Sequence, residues 1–141
     1  MDMHKHHEDL MSSLQKEVQE IFDKSDQAIY LYLDDEHKAC NQKFADLLGY
    51  DSPRAWAKIT KPFADTFVAK TSQMDLVSAY QAAMEKMVAS ALPVTWRTKD
   101  NQEIDSTVII IPTIYQGHKF ALHFISRGKQ LNDSSRQKYG G

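Results

Sequence analysis

The chain has a single cysteine, Cys40, so no intrachain disulfide can form, which fits a reducing compartment. It has no apolar run near the roughly 18–20 residues that span a bilayer. The N-terminal MDMHKHHEDL lacks an apolar stretch and does not read as a signal peptide. Neither charge sign dominates. With 17 basic and 19 acidic residues, the net charge of -2 gives no electrostatic reason to expect nucleic acid or an acidic membrane as partner. There is no Gly-rich phosphate loop, no Gly-x-Ser-x-Gly, no His-Glu-x-x-His and no paired-cysteine zinc spacing. No nucleophile has an adjacent base. These absences point to a cytoplasmic protein that is not an enzyme.

What is present suits one domain with one core: 141 residues, 42% apolar and 26% charged. Residues 8–24 carry Met11, Leu14, Val18 and Ile21 at spacings of three, four and three, one stripe of an amphipathic helix, widened by Leu10 and Phe22. The stripe fits either a helix laid on its own domain or a homodimer interface. AIYLYLD (28–34) is apolar on both faces and reads as a covered central strand. An acidic turn leads into HKAC, a short second strand. Asn41 then caps a brief helix that stops at Gly49, and Ser52-Pro53 restarts one. Pro62 interrupts again, and Phe63 and Phe67 mark another helical piece.

The longest helix is predicted over 73–91, with Ser72 and Asp75 as a capping box and Val77, Tyr80, Met84, Met87 and Ala91 as its apolar stripe. Three strands follow, over 92–98, 103–114 and 119–126. Asn101 and Gly117 supply residues tolerant of positive φ at the two turns. Pro112 predicts a bulge or a change of partner in the middle strand. From Arg127 the chain is polar and basic and reads as a disordered tail to residue 141. The class is α+β: a five-stranded antiparallel sheet with short helices and one long helix on one face, preceded by an amphipathic helix.

The ordered set Asp34, Asn41, Phe44, Leu47-Leu48-Gly49-Tyr50 and Ser52-Pro53, followed by a long helix and three strands, resembles a PAS domain over residues 26–126. Residues 1–25 resemble the helix that often flanks such domains and dimerises. The resemblance implies a cavity between the sheet and the helices, and a sensory or interaction role. Two features depart from the pattern. Phe124-Ile125-Ser126 stands where signalling members often end in Asp-Ile-Thr, and no helical output segment follows. The length leaves no room for kinase, cyclase or DNA-binding output, so a stand-alone module is expected.

The sequence assigns no cofactor. Haem-binding members place a histidine on the long helix, and residues 73–91 have none. Light-sensing flavin members carry Asn-Cys-Arg-Phe on a helix after the short ones. Here Cys40-Asn41-Gln42-Lys43-Phe44 is scrambled and earlier, so cysteinyl-flavin photochemistry is not expected. Cys40 reads as a small buried residue. Tyr30, Tyr32, Tyr80, Met84, Trp96, His123 and Phe124 are the candidates for lining a cavity that takes a small apolar or aromatic ligand. His4, His6 and His7 read as solvated, with adventitious affinity for Ni or Zn, and Asp34-Asp35-Glu36 as a solvated turn, so no metal site is expected.

The expected function is a sensory module that binds such a ligand and acts on a protein partner as a homodimer. The alternatives are a ligand-free interaction scaffold and a small α+β cone enzyme using Asp105 and His123.

Overall fold

The computed structural model describes residues 3–127. Beyond Arg127, the expected basic tail lies outside the described residues. The elements are α1 (Met3–Lys24), β1 (Ala28–Asp34), β2 (His37–Cys40), α2 (Gln42–Leu48), α3 (Pro53–Ala57), α4 (Phe63–Phe67), α5 (Lys70–Lys86), β3 (Ser90–Arg97), β4 (Glu103–Tyr115) and β5 (His118–Ser126). The strands form one antiparallel sheet in the order β2-β1-β5-β4-β3, as the α+β reading expects.

Alternation along β1 divides the protein into two apolar layers. Ala28 and Tyr30 face α2–α5 in the larger cluster, while Ile29 and Leu31 face α1 in the smaller one. Leu10, Met11, Leu14 and Phe22 of α1 are all buried in that second layer. Met11 and Leu14 therefore pack on their own sheet. Val18 packs against the same layer at its margin, and Ile21 is 48% exposed.

The punctuation around the short helices follows local chemistry. Asn41 accepts from the Phe44 N–H as the N-cap of α2, and Gly49 ends that helix at φ 86°. Ser52 caps α3 with Pro53 behind it.

The long helix differs from its sequence reading. It begins at Lys70, and Ser72 lies inside it, accepting a hydrogen bond from the Thr95 N–H at 2.9 Å instead of capping. It ends at Lys86, with Met87 left-handed at φ 54°, so Ala91 belongs to β3. Its buried line is Ser72, Leu76 and Ala83, with Val77 exposed. Of the expected stripe, Tyr80 and Met84 pack at the margin of the core.

Pro112 makes no bulge. The β4–β5 register runs evenly through Pro112↔Ala121, and β3 has already left β4 at Ser90↔Ile110, so no ladder bond is asked of it on that side. Among the described residues no helix is long and apolar enough to cross a membrane.

Candidate functional site

Between α4, α5 and the inner face of β1 and β5 lies a cavity of about 310 Å³. Tyr30 and Tyr32 from β1, Phe63 from α4, Leu76 and Tyr80 from α5 and His123 from β5 form its walls. Cross-strand pairing Tyr30↔His123 sets two of these side by side. Their rings stack at 4.0 Å between centroids and 8° between planes. On its other flank His123 meets Tyr80, near-parallel at 16° and 6.5 Å away.

His123 is fully buried, and burial lowers its pKa to about 3, although the backbone at Ala121 and Tyr30 pulls the other way. The ring is therefore neutral across the physiological range. Its Nδ1 has no hydrogen-bond partner among the described residues. Burial likewise raises the Tyr30 and Tyr80 hydroxyl pKa values. The Tyr32 hydroxyl is held protonated first by burial and then by its 2.8 Å hydrogen bond to Asp35.

The mouth of the cavity is set by Asp35. Its Oδ1 accepts from both the Tyr32 hydroxyl and the Phe63 N–H, so it caps α4 from a distance. The acidic turn is thus a structural joint where a solvated one was expected. Lys38, buried on the inner side of β2, closes the same end. Its Nζ donates to the carbonyls of Asp35, Ala57 and Ile59 and lies 5.1 Å from the centre of the Trp56 ring. Burial lowers its pKa to about 8.

Of the seven expected ligand-binding residues, Tyr30, Tyr32, Tyr80 and His123 come together at the cavity. Trp96 is fully buried deeper in the core, with its indole N–H donated to the Ser106 hydroxyl, and Met84 packs at the core margin. Phe124 faces α1 on the opposite side of the sheet, because strand parity separates it from His123. Phe63, Leu76 and Asp35 are cavity residues the sequence reading missed. Only the Phe63/Phe67 spacing hinted at one of them.

The Asp105–His123 pair does not form. Asp105 is exposed on the outer side of β4, accepting from the Thr95 hydroxyl at 2.8 Å, while His123 points inward. Cys40 is buried, which raises its thiol pKa to about 12 and leaves no reactive thiolate at neutral pH. His6 and His7, expected in solvent, belong to α1 and have partners. The Nε2 atoms of His6 and His118 are 3.0 Å apart, and His7 Nδ1 is 3.1 Å from Asp34 Oδ2.

No protein-family model and no curated protein matches the sequence significantly. Solved structures do match in shape. A PAS domain from Colwellia psychrerythraea is 17% identical, with a TM-score of 0.63, covering 80% of this chain and 95% of that one. A domain of a sensory box sensor histidine kinase/response regulator from Geobacter sulfurreducens is 12% identical, with a TM-score of 0.57, covering 82% and 95%. The Drosophila melanogaster Cycle PAS-B domain with bound ethylene glycol is 12% identical, with a TM-score of 0.57, covering 70% and 97%.

Proposed function

On a chain that has the PAS fold, we propose a sensory module whose cavity takes a small, flat, apolar or aromatic molecule and whose occupancy is read by a protein partner. The observation that carries this reading is the neutral imidazole of His123 in a largely apolar and aromatic wall, with a buried Nδ1 that has no partner among the described residues. A buried polar atom left without a hydrogen bond is costly, and a ligand hydroxyl or ring nitrogen relieves that cost. The near-parallel faces of His123 and Tyr80 favour a planar guest, admitted by a small outward movement of α5. Binding shifts the conformational balance by its differential affinity for the two states.

The test is native mass spectrometry of protein purified without added ligand, followed by a thermal-shift screen of planar aromatics. A mass that departs on denaturation, or a raised melting temperature from at least one ligand class, is expected. Ala64→Phe, which fills the cavity, should remove the response and leave the unliganded fold intact. Absence of both the adduct and any thermal response would sink the sensor and leave the ligand-free scaffold.

Homodimerisation, expected through Met11, Leu14, Val18 and Ile21, has a different surface available. Ile109 and Ile111 on the outer side of β4 are 40% and 37% exposed, beyond the layer covered by α1. Together with Ile21 they form the proposed contact. The double change Ile109→Glu and Ile111→Glu is expected to yield a folded monomer by light scattering, with an unchanged melting temperature. A dimer that survives it would move the interface elsewhere.

A further inference from the structure

We propose that His7, Asp34 and His37 bind a divalent first-row transition-metal ion that clamps the start of α1 to the β1–β2 turn. The three residues come from separate elements: the first turns of α1, the end of β1 and the start of β2. One donor atom from each lies within 4.8 Å of the others. The Asp34 carboxylate is the hub. His37 Nδ1 is 2.7 Å from its Oδ1 and His7 Nδ1 is 3.1 Å from its Oδ2. Donors about 2.0–2.1 Å from a tetrahedral Zn²⁺ stand roughly 3.3 Å from one another. Small rotations of the two rings therefore reach that geometry.

The site is built into the fold. His37 is only 7% exposed and sits on the α1 side of β2 with Ala39. Asp34 is aimed by the Glu36 N–H, which donates to its Oδ1 at 3.0 Å.

Two further imidazoles surround the cluster. The ring centre of His7 is 5.5 Å from that of His37 and 6.4 Å from that of His118, and His118 in turn meets His6 at 4.9 Å. Two histidines and one carboxylate with a position left for water is a donor set that suits Zn²⁺ and its first-row neighbours. On binding, each imidazole presents Nδ1 unprotonated, and the proton it now shares with Asp34 moves to Nε2 or to solvent. The ion then adds a direct link between chain segments that already meet here, and it stabilises the docked position of α1.

The experiment uses the full chain without an affinity tag, stripped with EDTA and freed of chelator. Zn²⁺ is titrated by calorimetry and by competition with a chromophoric chelator. One Zn²⁺ per chain at micromolar affinity or tighter is expected, with a higher melting temperature than in EDTA. His7→Gln and His37→Gln should each weaken binding by more than about 100-fold, since even the loss of a residue supporting a ligand costs 10–100-fold.

Asp34→Asn keeps the acceptor for the Glu36 N–H and so tests the carboxylate if His37→Gln unfolds. It should lose Zn²⁺ while its melting temperature in EDTA stays near that of the parent. The double change His4→Gln and His6→Gln should retain binding. If that double variant loses the ion while His37→Gln keeps it, the metal sits on the N-terminal histidine run and the proposal is wrong. No saturable binding would mean that the three residues are a hydrogen-bonded clamp only.

Discussion

Asn41→Ala is expected to lower folding stability by roughly 4 kcal/mol, because four backbone groups lose their hydrogen bond to its side chain at once. The Asn41 Oδ1 accepts from the N–H groups of Phe44 and Ile29, both at 3.0 Å. Its Nδ2 donates to the carbonyls of Gln27 at 2.9 Å and Phe22 at 3.3 Å. Loss of the helix cap alone costs about 1 kcal/mol. The remainder comes from stranding groups at the α1–β1 connection in a site that is 4% exposed. Against a usual domain stability of about 5–15 kcal/mol this is a large fraction.

Urea unfolding at neutral pH measures it as a lower midpoint at constant slope. Asn41→Asp separates the two halves of the side chain. It keeps the acceptor but sets an anion against two carbonyls, so it should be at least as damaging at pH 7 and recover partly in acid. A loss below about 1 kcal/mol for the alanine variant would mean that solvent replaces these bonds, contrary to their burial.

The second large effect is acid destabilisation through His123. Its folded pKa of about 3 lies below the ordinary 6.5, so the unfolded chain takes the proton first as pH falls. The stability linked to the neutral ring is complete above pH 6.5 and is lost progressively on the way down to pH 3. At 1.36 kcal/mol per unit, the loss is about 2 kcal/mol by pH 5 and about 5 kcal/mol at its limit. His123→Phe keeps a ring against Tyr30 and removes the titration. The parent should therefore lose about 2 kcal/mol relative to the variant between pH 7.5 and 5. Parallel profiles would show that protonation is accommodated without unfolding, and would place the ring in a wetter setting than its burial indicates.

Local chemistry made much of this fold legible. Asn41, Gly49 and Ser52-Pro53 act through neighbouring backbone groups, so their roles follow from a few consecutive residues. Strand β1 announced itself by being apolar on both faces, and the structure supplies an apolar layer on each side. Features that depend on distant partners were not legible. Ser72 looks like a helix cap until Thr95 claims its hydroxyl. Phe124 and His123 are neighbours in sequence and opposites in space, and only strand register decides which meets the cavity. Lys38 is a charged residue on a four-residue strand, and nothing nearby in sequence shows that the end of α3 brings two carbonyls to its amine. The histidines of α1 looked solvated because their partners lie about thirty residues and more than a hundred residues away.

The join between α1 and β1 also has a mechanical meaning. Only Ser25, Asp26 and Gln27 separate the two elements, a tether that spans at most about 11 Å when fully drawn out. Ser25 folds part of it into a turn by accepting from the Gln27 N–H, and Gln27 is moored to Ser126 at the end of β5. There is little slack. Sliding α1 along its axis by one helical turn, about 5.4 Å, takes up about half of that reach. Tyr30 stands two residues past the start of β1 and forms part of the cavity wall. A pull on the helix would thus reach the cavity wall at Tyr30 through three residues of connecting chain.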